Sequence, residues 1–130
     1  MDQGRMLGRG IHFPPRLNDQ GRWSWSEGEE NIRQSIRIIL QTEPLERIML
    51  PEFGSGLKRM LFQPNVTTTH NLIEEMIKRA LGRWEPRIAL SSVKVVEDSN
   101  DFSAAVVSIH YTVVATKKKD QIQLRMVLKG

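Results

Sequence analysis

The chain has 130 residues, a formal net charge of +4 and no cysteine. That length supports one modest hydrophobic core rather than two, and the missing thiols exclude disulfides and thiolate metal sites. No apolar run is long enough to span a bilayer, and the opening MDQGRMLGRG has no apolar signal core, so the expectation is a protein kept in a cytoplasm or carried out inside something larger, with no membrane contact.

Residues 1–25 read as an arm broken by Gly8, Gly10, Pro14 and Pro15. Its apolar anchors are Ile11, Phe13, Trp23 and Trp25. They could hold the arm on its own core or on a neighbouring subunit, and the residues favour neither. Residues 26–130 then form a single domain. Ser26 and Glu29 have capping-box spacing and open a first helix, in which Ile32, Ile36, Ile39 and Leu40 share a face while Ile38 points elsewhere. Thr42 and Pro44 end it. Arg47 to Leu50, closed by Pro51, suggests a short strand at a sheet edge. Glu52 to Gly56 is a turn, and Leu57 to Phe62 makes one or two helical turns before Pro64.

Asn65 to Thr69 offer several N-caps for a second long helix ending at Trp84. Leu72, Ile73, Met76, Ile77, Ala80, Leu81 and Trp84 give it a wide apolar face, which suits a helix packed on both a sheet and the first helix. The methionines read as core filling. Pro86 then stops the helix and pushes Glu85 toward extended geometry. Glu85 and Arg87 therefore flank a stiff corner beside a large aromatic, an arrangement more typical of docking than of catalysis.

Residues 88–97, 102–115 and 121–129 alternate apolar and polar positions with period two and predict three antiparallel strands. In the middle strand Ala105, Val107, Ile109, Tyr111, Val113 and Ala115 share one face; in the last, Ile122, Leu124, Met126 and Leu128 do. A change of apolar parity between Leu90 and Val93 calls for a bulge near Ser91 and Ser92. The turn Lys117-Lys118-Lys119-Asp120 reads as solvated charge rather than a nucleic-acid patch. The fold class is thus α+β: a small antiparallel sheet, a three-strand meander plus a short edge strand, against two main helices. The long middle strand leaves 88–97 and 121–129 as edges. The latter lacks a proline to blunt it, so Gln121, Gln123, Arg125, Val127 and Lys129 are candidates for pairing with an added strand.

Catalytic signatures are missing. His12, His70 and His110 have no metal-ligand spacing, which implies no metal and no cofactor. The serines lack a nucleophile-elbow context, and Gly54-Ser55-Gly56 lacks a phosphate-loop lysine. Glu74, Glu75 and Glu85 are the carboxylates a glycosidase would need, but charged helix faces explain the first two better. The polar sheet face, with Ser108, His110 and Thr112, carries no aromatics for RNA.

An ordered set of motifs resembles the lysozyme-like baseplate wedge family of contractile phage tails. It comprises Leu7 to Pro14, Thr42 to Arg47, Met49 to Leu57, Phe62-Gln63-Pro64 and Trp84-Glu85-Pro86-Arg87-Ile88; Leu45 stands where the family usually has glycine. The resemblance implies a sheath initiator of a phage tail, tailocin, type VI or extracellular injection system. It implies six copies that join baseplate wedge proteins to the first ring of sheath subunits, with the central hub or tube as a further neighbour. Assembly would take place in the bacterial cytoplasm. Glu85, Pro86 and Arg87 would dock on the wedge core, and the sheet would take up extended arms of the sheath. The family's name suggests hydrolysis, so a small cell-wall hydrolase is the alternative, but the residues favour a protein that is not an enzyme.

Overall fold

A computed structural model of the chain describes residues 10–13, 27–43 and 54–130. The elements are β1 (Ile11–His12), α1 (Glu27–Gln41), a 3-10 turn (Leu57–Met60), α2 (Thr67–Trp84), β2 (Ile88–Asp98), β3 (Asp101–Val113) and β4 (Lys119–Val127). Trp23, Trp25, the Ser26 cap, the turn at Glu52 and the expected strand at Arg47 to Leu50 lie outside the described residues.

The four strands form one antiparallel sheet in the order β1-β4-β3-β2. The fourth strand comes from the N-terminal arm. Ile11 pairs with Met126 and His12 with Arg125. Ile11 is fully buried and Phe13 nearly so, while His12 between them is exposed. That is the period-two pattern of a strand with one wet face, and it anchors these arm residues on their own core.

The helices and the turn close the buried face of the sheet. Ile32, Ile36, Ile39 and Leu40 of α1, Leu57 of the turn, and Ile73, Ile77, Ala80 and Leu81 of α2 meet Val107, Ile109, Tyr111, Ile122, Leu124 and Met126 in one cluster. Ile38 is on the far side of α1, half exposed. The bulge is present as a register shift between Leu90 and Ser92. Three expectations need correction. Leu72 is not a core residue: one position before Ile73, it turns away and is exposed. No side chain caps α2, whose N-cap position is the extended Val66. β3 ends at Val113, not Ala115, because the chain reverses there: the Val113 amide donates to Lys118 O (2.8 Å), and Lys117 takes a positive φ of 64°.

One charged cluster interrupts this core. Arg33 is 2% exposed. Its Nη1 donates to Asp120 Oδ2 (3.0 Å) and to the main-chain oxygen of Gln121 (2.8 Å), and the Tyr111 hydroxyl donates to the same Asp120 oxygen (3.0 Å). The cluster ties α1 to the start of β4. Burial, reinforced by the Asp120 charge, pushes the Tyr111 phenol well above its ordinary value of 10.0. Raised ionisation in the folded state means that the unfolded chain loses this proton first. Stability should therefore fall as pH rises past about 10. Tyr111 is the single tyrosine, so phenolate absorbance reads it alone. The signal should stay absent until the circular dichroism of the fold is lost; phenolate appearing on an intact fold would refute this.

Candidate docking surfaces

The first candidate is the corner after α2. The helix closes with the Glu85 amide donating to Leu81 O (2.9 Å). Pro86 prevents another turn, and Ile88 begins β2. The Arg87 main-chain oxygen accepts from the Val114 amide (2.8 Å), which welds the corner to the end of β3. Glu85 and Arg87 do project together, but toward each other. Arg87 Nε and Nη2 donate to the two Glu85 oxygens at 2.7 and 2.8 Å, a bidentate pair. Glu85 is only 2% exposed, whereas the Arg87 side chain is 51% exposed.

Burial works to raise the Glu85 carboxyl, but hydrogen bonds from Arg87 and from Ser35 of α1, with the Arg87 charge, outweigh it and hold it below the ordinary carboxylate value. Arg87 is shifted upward by the same hydrogen bond. Of the three residues expected at the corner, then, Glu85 aims Arg87 from beneath, while Pro86 and Arg87 form the surface.

The second candidate is the sheet edge, and here the expected strand is largely occupied by its own chain. In β4 the Val127 amide donates to Gly10 O (2.8 Å), and Val127 O accepts from the Phe62 amide (3.1 Å). Arg125 is paired with His12. Beyond β4, Lys129 is bridged to the segment at Pro64, its amide donating to Gln63 O and its oxygen accepting from the Asn65 amide, both at 2.9 Å. At the other end Asp120 Oδ1 accepts from the Gln121 amide (2.7 Å) and Arg33 holds Gln121 O. Of Gln121, Gln123, Arg125, Val127 and Lys129, Gln123 alone keeps outward main-chain groups with no partner among the described residues. The Arg125 side chain is also engaged, with Asp98 (3.0 Å) and Asp101 (2.6 Å) across the sheet. The arm was legible as apolar alternation at Ile11 and Phe13; its register on β4 depends on a contact between opposite ends of the chain, which local pattern cannot supply.

That leaves β2 as the other edge. Among the described residues it pairs with β3 alone. The Val95 amide points outward and donates to Glu74 Oε2 of α2 (3.2 Å); by strand alternation Val93 and Glu97 point the same way. Glu74 is thereby explained as a carboxylate that covers one edge amide. Among the described residues no cluster of three metal-ligating side chains occurs.

Comparison with known proteins identifies the family. The sequence profile of the baseplate wedge protein gp25 family matches residues 26–118. The chain belongs to that family. It is 31% identical to baseplate wedge protein gp25 of Enterobacteria phage T4 over 104 residues, covering 79% of this chain and 78% of the phage protein. It is 41% identical to baseplate protein W of Escherichia phage P2 over 64 residues, 49% of this chain and 56% of that protein. Among solved structures, a Geobacter sulfurreducens protein called a tail lysozyme superposes with a TM-score of 0.71 at 40% identity, over 82% of this chain and 96% of that one. A chain of the anti-feeding prophage baseplate gives 0.64 at 29% identity, covering 81% and 86%. A chain of the pyocin R2 baseplate after contraction gives 0.57 at 30%, covering 79% and 97%. The Trp84-to-Arg87 corner and all of β2 lie inside the matched region.

Proposed function

We propose that this baseplate wedge protein joins the wedge of a contractile tail machine to the first ring of its sheath and sets the position from which the sheath polymerises. Pro86 and the half-exposed guanidinium of Arg87 meet the wedge core, and an extended arm of a sheath subunit adds to the sheet. The observation that carries this reading is the asymmetry of the sheet: among the described residues β1 closes one side, and the long β2 is left as the edge. Strand addition draws its affinity from main-chain hydrogen bonds and its register from the buried alternation. It also gives a joint that resists sliding during contraction. The arm would displace Glu74 from the Val95 amide. Six such joints per baseplate would match the copy number implied by the family.

The test is amide exchange in the presence and absence of sheath subunits. Val93, Val95 and Glu97 should gain protection when sheath is added. If these amides exchange as in the free protein while sheath still nucleates, β2 is not the joint.

We further propose that the protein has no hydrolytic activity. A glycosidase acid needs a carboxyl raised toward neutrality, whereas Glu85 is buried under Arg87 and shifted the other way, and Glu74 is bound to a backbone amide. Purified wild type should release no sugar from peptidoglycan. Reproducible release that disappears in Glu74→Gln or Glu85→Gln would overturn the proposal.

A further inference from the structure

β2 has few of the features that keep an edge strand from pairing with a stranger. It carries no proline, Val93, Val95 and Val96 are β-branched, and Val96 is 57% exposed. Its register with β3 runs without a break from Ser92 to Glu97, between the bulge at Ser91 and the irregularity at Asp98. Over that stretch Val93, Val95 and Glu97 turn their main-chain groups outward. A strand arriving from outside would pair there.

Val95 lies in the middle of the stretch, and its amide already donates to Glu74 Oε2 (3.2 Å). The helix sets Glu74 for this reach. Ile73 and Ile77 are fully buried and pin α2 against the sheet, and Glu74, half-buried between them, stands at the border of the core. A carboxylate that accepts from a main-chain amide makes a charge-assisted bond. It fills the place that the carbonyl of an added strand would take. With the central donor engaged, Val93 and Glu97 are left on opposite sides of it, and neither side offers a continuous ladder.

We infer that Glu74 is a removable plug of the β2 edge, one that keeps free copies of the chain from pairing with each other and yields to an arm that supplies acceptors along the whole stretch. The selectivity comes from symmetry. Two copies meeting edge to edge must each expel a carboxylate, whereas a sheath arm expels one. The plug therefore weighs twice on self-pairing and once on assembly. This inference rests on the reading of β2 as the open edge that takes the sheath arm.

The experiment compares the full wild-type chain with Glu74→Ala, in which alanine suits the helix and removes the acceptor. In dilute protein the Val95 amide should exchange about tenfold faster in the variant, the scale of one lost hydrogen bond to a charged group. Sedimentation should show the variant self-associating at about a hundredfold lower concentration, since two such bonds are released per pair. Val93 and Glu97 should gain protection as it associates. Purified sheath subunits should protect the same two amides at about tenfold lower concentration in the variant than in wild type. Glu75→Ala removes the same charge one residue on and should match wild type throughout. Circular dichroism establishes that each variant is folded; if Glu74→Ala is not, Glu74→Ser, too short to reach the strand, carries the same expectations. Unchanged Val95 exchange, or self-association no stronger than that of wild type, overturns the inference. Protection by sheath that needs the same concentration in both proteins upholds the joint and overturns the plug. Faster Val95 exchange and stronger self-association without any protection by sheath uphold the plug and refute the joint.

Discussion

Replacing Arg33 with methionine should lower the melting temperature by roughly 10–20 °C. The substitution keeps most of the side-chain volume and removes the charge. Asp120, 9% exposed, is then left buried without its guanidinium partner, and Gln121 O loses the Arg33 donor. Breaking one side of a buried ion pair costs about 3–5 kcal/mol, and for a domain of this size each kcal/mol is worth about 3–5 °C. The double variant R33M/D120L should recover much of the loss, since removing both charges removes the stranded one. A single variant that melts within a few degrees of wild type would mean that water reaches Asp120 once the arginine is gone.

Arg87→Ala should reduce the yield of assembled baseplates more than tenfold. The residue is the exposed half of the corner, and no other cation stands between Trp84 and Ile88. The substitution also strands the buried Glu85, so it carries a stability cost. The charged hydrogen bonds lost are worth about 1–3 kcal/mol in general, and the exposure of Arg87 puts the expected loss at the low end. Arg87→Lys separates the two effects: it keeps the charge but loses the fork, so it should melt close to wild type and still assemble poorly.

The sign of the pH dependence follows from Glu85. Its folded value lies below the ordinary 4.5. The stability from the pair is present above the ordinary range and is lost as pH falls through the lowered folded value. Arg87→Ala should flatten that acid limb. If it melts far below wild type at neutral pH and Arg87→Lys assembles normally, the corner is structural and the docking proposal fails.

The elements that could be read from residues alone were those set by local periodicity. The strands from Ile88 onward, the bulge at Ser91, the core face of α1 and the corner at Pro86 all follow from patterns within a dozen residues. What could not be read depends on where distant segments meet. Arg33 is the clearest case. It sits three residues before Ile36 and seven before Leu40, on the apolar face, and that placement was the available signal. Its meaning needed Asp120 and Tyr111, which the sheet brings to it from the far end of the chain. The same holds for Glu85. Proline geometry predicts the corner, but only the packing of α1 and its Ser35 against the corner makes the carboxylate an internal support rather than a contact. The engaged edge of β4 was missed because the alternation of Ile11 and Phe13 gives a strand without naming its neighbour.

The pairing of β1 with β4 also dictates an order of events during synthesis. Ile11 leaves the ribosome well before Met126, so the sheet stays incomplete until β4 has emerged and paired with β1. Through that interval the β4 edge is exposed as soon as it forms, and an edge awaiting its last strand is where chains join wrongly to one another. Other copies of the same chain made close by are the nearest available wrong partners. Docking of the arm would then act as a timer, holding the monomer back from self-association until its own N-terminus has returned.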